Sequence, residues 1–338
     1  MSLRPTIFAL LAALALASAN PAHAQTKLVV GMPTTPPNIV LMPLHVGKDL
    51  GFFKQEGIDL ETVELEGGVK AYRAMVAGSV DIASSPGPFS IVGRAKGAAT
   101  KMLVSNSPKL EVSMVVQKDI KTLADLKGKR IGIQEPGGFA DVLARAVLRE
   151  AKIDPKEVHF VSIMSEDVPP LVAKQIDSAI LHIEQEMLAK QKAPDLHAIA
   201  RLWELQPKQL YNVLVTQEKT IATKRAALEG FVKAHIKATR MMYTDPAKVL
   251  PILVKYTGYP PSVVKDSYDF LVKQCIWDAN FGLSKERIAY TTGVMVRVGN
   301  IDKDKAPTYD NLVDLSFAEK AIKELGEWKG PVCMSEAS

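Results

Sequence analysis

Val76-Ala77-Gly78-Ser79-Val80-Asp81-Ile82-Ala83 returns in altered form as Val172-Ala173-Lys174-Gln175-Ile176-Asp177-Ser178-Ala179. In each copy an apolar helical run ends, the chain turns, and a short β-type run follows, Val80–Ala83 or Ile176–Leu181. Upstream of each stands a strand-and-turn phrase. The first is Leu28-Val29-Val30-Gly31-Met32-Pro33; the second is Arg130-Ile131-Gly132-Ile133-Gln134-Glu135-Pro136-Gly137-Gly138. Two α/β units with one internal order predict two similar lobes. Each lobe places loops at the carboxyl ends of its strands, where open α/β sheets bind ligands.

The rest of the chain fits around these units. Leu28–Gly31 reads as a buried strand, Leu44–Lys54 as a helix and Ile58–Leu65 as a returning strand. A helix opened by Gly67-Gly68 and running through Ala77 leads into the first copy of the phrase, and Phe89–Lys96 is another helix. Strands at Lys101–Ser105 and Glu111–Gln117 complete the first unit. The second unit runs through strand 130–134, helix 138–150, strand 158–162, helix 168–174 and strand 176–181. After a β-branched strand at Tyr211–Thr216 the chain becomes almost wholly helical, with helices predicted at 224–243, 247–256, 262–270, 284–298 and 317–326. Asp245-Pro246 and Tyr259-Pro260-Pro261 break that series. A chain that builds one lobe, inserts a second and returns to cover the first crosses between lobes twice, near 112–118 and 210–217. The cleft between such lobes is the default ligand site.

The amino end reads as an export signal. Arg4 is its one ionised side chain, Ile7–Ala19 is apolar or small, and Ala22-His23-Ala24 offers a cleavage site after Ala24. That apolar run is short of the roughly 20 residues of a membrane span, and no Cys stands at the cleavage point to take a lipid. Removing residues 1–24 from the 338 leaves enough chain for two cores. The net charge of +5 loses one unit with Arg4, and no block of like charge suggests nucleic acid. The two cysteines, Cys275 and Cys333, form a candidate disulfide in an oxidising compartment, although spacing alone does not show that they meet. Neither has metal-ligand spacing. No G-x-S-x-G elbow, H-E-x-x-H or P-loop appears, and no cofactor is implied.

Pro43-Leu44-His45-Val46-Gly47-Lys48-Asp49-Leu50-Gly51-Phe52-Phe53-Lys54-Gln55-Glu56-Gly57-Ile58-Asp59 resembles a phrase of the solute-binding proteins of ABC importers. The group concerned takes nitrate, sulfonates, taurine or the pyrimidine precursor of thiamine. Ala77–Ala83, Leu123–Ile133 and Tyr309–Asp314 are similar to further motifs of that group, in the right order. The resemblance implies a two-lobed α/β fold of the type II periplasmic binding-protein class, each lobe a mixed, mostly parallel sheet flanked by helices. Residues 25–114 and 213–338 would form one lobe and 115–212 the other. It also implies a periplasmic, monomeric, non-enzymatic protein that captures a small organic solute by lobe closure and delivers it to a membrane permease.

Four loops are expected at the cleft. Thr34-Thr35-Pro36-Pro37-Asn38 offers two hydroxyls and an amide, with Thr34, Thr35 and Asn38 as candidate contacts. Ser84 and Ser85 end the first repeated strand, and Asn106 ends a neighbouring one. Gly137-Gly138-Phe139 lies at the amino end of a helix, where free N–H groups favour an anion or a carbonyl oxygen. His182 and Glu184 follow the second repeated strand and, read as extended chain, share a face. Each residue also has a structural reading: Gly137-Gly138 as a tight turn, the serines as helix caps, Phe139 as core, His182 and Glu184 as solvated surface. Relative to the sulfonate and nitrate members, Gly138 stands where a hydroxyl is usual, and loop four lacks a Pro. A solute with an acidic or carbonyl end at Gly137–Phe139 and a donor-rich part at Glu184 fits this pattern. The rival classes are an exported or thiamine-pyrimidine-type enzyme, for which His45, His182 and Glu184 would be the reactive candidates, and a ligand-presenting sensor partner.

Overall fold

The computed structural model describes residues 25–65, 67–163 and 168–330. The expected export signal and Cys333 fall outside them. Ten strands form two five-stranded sheets. The first sheet contains β1 (Thr26–Met32), β2 (Ile58–Glu64), β3 (Ile82–Pro86), β4 (Thr100–Ser107) and β10 (Asn212–Gln217), in the order β2-β1-β3-β10-β4. The second contains β5 (Ser113–Val116), β6 (Arg130–Ile133), β7 (His159–Ser162), β8 (Ser178–Leu181) and β9 (His197–Arg201), in the order β7-β6-β8-β5-β9. The orders are the same pattern. In each sheet one strand runs antiparallel to its neighbours, and that strand comes from beyond a crossing: β10 in the first sheet, β5 in the second.

The duplicated phrase explains the match. Val30 and Gly31 pair with Ile82 and Ala83, while Ile131 and Gly132 pair with Ser178 and Ala179. Asp81 exchanges two bonds with Val29, its N–H donating to the carbonyl and its Oδ2 accepting the Val29 N–H. Asp177 does the same with Arg130. The apolar residue before each Asp packs over a glycine of the neighbouring strand. A Cβ on Gly31 would stand 3.3 Å from Val80 Cγ2, and one on Gly132 would stand 2.6 Å from Ile176 Cδ1. The phrase is therefore a clip between β1 and β3 in the first sheet and between β6 and β8 in the second. Asp177 also accepts from the Arg130 guanidinium at 2.8 and 3.0 Å. Asp177→Ala removes these bonds and leaves a strand N–H without its acceptor. The expected cost is about 1–3 kcal/mol, read as a fall of several degrees in the melting temperature. An unchanged melting temperature would reduce the clip to decoration.

Helices cover both faces of each sheet. On the first sheet, α1 (Pro43–Asp49) packs with α9 (Glu218–Thr244), as does α2 (Phe52–Gln55), while α3 (Gly68–Ala77) packs on β1 and β3 with α4 (Gly87–Ala95) beside it. The helix expected over 44–54 is two helices, because Gly51 takes a left-handed conformation (φ 74°) between them. The long helix starts at Glu218 rather than at Lys224, and Lys224 marks a kink in it. On the second sheet lie α5 (Phe139–Glu150), α6 (Val168–Val172), α7 (Ile183–Lys192) and the short α8 (Leu202–Leu205). Among the C-terminal helices, α10 (Pro246–Thr257) and α11 (Pro261–Lys273) follow α9, and α12 (Lys285–Arg297) packs on α4. The C-terminal helices, expected to cover the first lobe, also reach the second: α11 packs on α7, and Phe270 meets Trp203 of α8. One buried apolar cluster consequently runs from the first sheet into the second.

The crossings run through 108–112 and 202–211. The strand expected over 111–117 belongs to the second sheet, because its residues Ser113–Val116 pair with β8 and β9. Cys275 follows α11 at φ 50° and is half-buried. No described helix is long and apolar enough to cross a membrane.

Candidate ligand site

The carboxyl edge of the first sheet carries a row of buried polar side chains. Along it lie the turn after β1, the end of β3, the start of β10 and the end of β4, side by side in the sheet order. Ser84 Oγ donates to Asn212 Oδ1 at 2.9 Å, and Asn106 Nδ2 donates to the same oxygen at 2.8 Å and to Ser84 Oγ at 3.1 Å. These three share one face of the sheet, since Ser84 alternates with Ser85 and Asn212 with Val213. The arrangement leaves Asn106 Oδ1 and Asn212 Nδ2 buried without a partner, together with Thr34 Oγ1 and Asn38 Oδ1. Buried polar groups are usually paired, so unpaired atoms gathered along one sheet edge call for an explanation.

The second lobe supplies the opposite wall. Glu184 is fully buried. Its Oε1 accepts from Asn38 Nδ2 at 3.0 Å and from the Ile39 N–H at 3.3 Å, while its Oε2 has no partner. This contact joins the lobes directly. Burial, and next to it the nearby Glu111 carboxylate, raises the Glu184 pKa above the ordinary glutamate value, against a smaller opposing effect of His182. His182 Nδ1 is in close contact with Glu111 Oε1. The His182 ring lies nearly parallel to Phe139, with centroids 5.8 Å apart and 11° between planes, and Tyr211 closes the group at 5.2 Å from Phe139 and 6.2 Å from His182. Burial, with Glu111 and Glu184 adding to it, holds the Tyr211 hydroxyl well above its usual pKa, so it is neutral and able to donate. Despite this cluster of acids and a histidine, no group of three or more His, Cys, Asp or Glu among the described residues has the arrangement of a metal site.

The expected residues thus divide. Asn38, Ser84, Asn106, Phe139, His182 and Glu184 fall in these two walls, and Thr34 stands at the same sheet edge. Thr35 is exposed, and Ser85 points to the other face, donating to the Gly68 carbonyl at 3.2 Å. Gly137 is exposed, in a left-handed turn at φ 76°. Its N–H is already taken by Asp141 Oδ2 at 2.7 Å, and that of Gly138 goes to the Glu135 carbonyl. An anion approaching this turn meets the Asp141 carboxylate, so the expected acid-binding role of Gly137 and Gly138 has no geometric support. His182 and Glu184 are not on an extended stretch. α7 begins at Ile183, because the Gln185 side chain accepts the His182 N–H and Glu111 accepts the Ile183 N–H. His45 is buried against Tyr256, at 4.3 Å between ring centroids, within the α1 packing.

Glu111, Tyr211 and Asn212 are additions that the sequence reading missed. Glu111 and Tyr211 lie on the crossings, and Asn212 directly follows the second. Glu111 interrupts the apolar run Leu110–Val112, and Asn212 precedes the apolar Val213-Leu214-Val215; both are polar residues where the pattern asks for apolar ones.

Two similar sheets joined by two crossings, with a polar site between, define the type II periplasmic binding-protein fold. Over residues 38–249 the chain matches the model described as NMT1/THI5 like, and it belongs to that family. It is 25% identical to the putative binding protein YtlA of Bacillus subtilis over 92% of this chain and 94% of that one. It is 24% identical to the formylaminopyrimidine-binding protein of Halalkalibacterium halodurans over 64% of this chain and 67% of that one. Among solved structures, the periplasmic nitrate-binding protein NrtA of Synechocystis superposes with a TM-score of 0.73 at 14% identity, over 89% of both chains.

Proposed function

We propose that the chain is the exported, substrate-binding component of an ABC-type importer, and that its solute is a small heteroaromatic ring bearing amino groups, of the aminopyrimidine type. The observation that carries the reading is the set of unpaired buried atoms on the two walls. Glu184 Oε2, Asn38 Oδ1 and Asn106 Oδ1 accept, Asn212 Nδ2 donates, and Thr34 Oγ1 can do either. Phe139, His182 and Tyr211 supply the flat faces on which a ring stacks. No lysine or arginine is among these residues, so an inorganic anion or a sulfonate would be desolvated there without a countercharge. The name of the Halalkalibacterium relative agrees with a pyrimidine.

Capture then works by differential affinity. A ring held by Asn38 and Asn106 on one side and Glu184 on the other favours the closed arrangement of the lobes, which a permease would read. Titration calorimetry with aminopyrimidines, taurine, nitrate and aromatic acids tests the assignment. Binding is expected for the aminopyrimidines alone, and Asn38→Ala is expected to weaken it by about ten- to a hundredfold. Tight binding of nitrate or taurine would overturn the reading, and turnover of the bound ring would replace it with an enzyme.

A further inference from the structure

Glu111 is buried on the first crossing, and neither the sequence motifs nor the ligand walls require it. Its Oε1 meets His182 Nδ1, and its Oε2 accepts the Ile183 N–H at 3.2 Å. Ile183 opens α7, a ten-residue helix, so this carboxylate sits at a helix amino end and accepts one of the N–H groups that have no partner within the helix. A carboxylate that accepts the Ile183 N–H through one oxygen accepts through the other as well, which puts the proton of the His182 contact on Nδ1. We propose that Glu111 is a positioning residue for ligand capture: it fixes a proton on His182 Nδ1 and ties the segment His182–Glu184 to the crossing about which the lobes turn.

The physical consequence is a short linkage from ligand to hinge. Glu184 contacts Asn38 across the cleft, Glu184 is one residue from Ile183, and Ile183 is bonded to Glu111. The same carboxylate fixes the plane of the His182 ring, which lies 11° from that of Phe139. Glu111 also acts on charge. The titratable groups facing it are His182, Glu184 and, from the second crossing, Tyr211. Several other charges around α7 are engaged elsewhere. Glu186 holds Lys190 and Arg201, Asp141 holds Arg145, Lys265 pairs with Asp269, and Tyr268 donates to the Met242 carbonyl. Removing the Glu111 charge therefore lowers the pH range over which Glu184 gains its proton.

This inference rests on the aminopyrimidine reading for its ligand half only, and the test separates the two. Imidazole nitrogen NMR on histidine-labelled protein without ligand, with the His182 signals identified by their loss in His182→Gln, reads the ring directly between about pH 5 and 8. In the wild type Nδ1 is expected to stay protonated throughout. In Glu111→Gln the neutral ring is expected to move towards the Nε2–H form that free imidazole prefers. Aminopyrimidine affinity should fall by about ten- to a hundredfold, its pH dependence should move to lower pH, and Glu111→Asp should recover part of both. A wild-type ring in the Nε2–H form overturns the proposal, even if Glu111→Gln does not fold. So does a Glu111→Gln protein with wild-type affinity and pH profile. A wild type that shows the Nδ1 signature and binds no aminopyrimidine supports the tether and overturns the ligand reading alone.

Discussion

Glu184→Gln is expected to weaken ligand capture about a hundredfold while leaving the protein as stable as the wild type or more so. The wild-type carboxylate is fully buried, lies near Glu111, and has one oxygen without a partner. Glutamine keeps the acceptor that Asn38 and Ile39 use and removes the charge that burial penalises. Sign matters here. Because the Glu184 pKa is raised in the folded protein, stability linked to it is present at low pH and is lost as pH rises through the folded value. The advantage of the variant should therefore be largest at alkaline pH and vanish towards acid. The binding loss should be about a hundredfold, the size of a hydrogen bond to a charged group. Calorimetry and thermal melting at two pH values check both halves. A variant that melts well below the wild type at alkaline pH would make Glu184 a structural residue and remove it from the site.

Two histidines give the opposite pH dependence, and a large one. His45 and His235 are both buried, and burial pushes each pKa from 6.5 down to about 4. For His45 the nearby Lys48 adds to the fall; for His235 burial outweighs the backbone of Ser105. In the unfolded chain each gains a proton near its ordinary value, so between pH 6.5 and about 4 the unfolded state holds more protons. The stability present above that window is lost as pH falls through it, by about 3 kcal/mol for each histidine at its acid end. Denaturant titrations across the window should show this slope, and His45→Phe with His235→Phe should flatten it. Persistence of the full slope in the double variant would assign the acid sensitivity to other groups.

The sequence revealed the repeated architecture more readily than it revealed the chemistry. Asp81 and Asp177 were legible because a side chain that clips two strands must recur wherever the strand pair recurs, and Gly31 and Gly132 follow from the same packing. β9 and α7 were not recognised. His197–Arg201 is only partly buried, which blurs its strand periodicity, and Ile183–Lys192 carries too few apolar residues to register as an amphipathic helix. Missing α7 changed the reading of the site, because His182 and Glu184 became members of an extended stretch. The position of Asn38, Ser84 and Asn106 along the sheet edge follows from counting forward from strand ends. Glu111, Tyr211 and Asn212 escaped that rule because they sit where the chain enters or approaches antiparallel strands, so their positions depend on a topology that local pattern does not encode. Gly137 illustrates the reverse error. A glycine turn before a helix suggests an anion site, but a carboxylate four residues on already occupies its N–H.

The return of β10 to the first sheet has a consequence for the order in which the chain can assemble. All five strands of the second sheet lie between Ser113 and Arg201, one uninterrupted stretch. The first sheet is split. Among the described residues β4 pairs with no strand other than β10, and β10 lies more than a hundred residues further along. Until Asn212–Gln217 arrives, β4 has no strand partner and β3 has a bare edge. The lobe encoded second can thus close on mostly local contacts, whereas the lobe encoded first must wait for a distant strand, and long-range pairing is the slow step in such chains. Refolding followed by pulsed hydrogen exchange should protect β5, β6 and β8 before β3, β4 and β10.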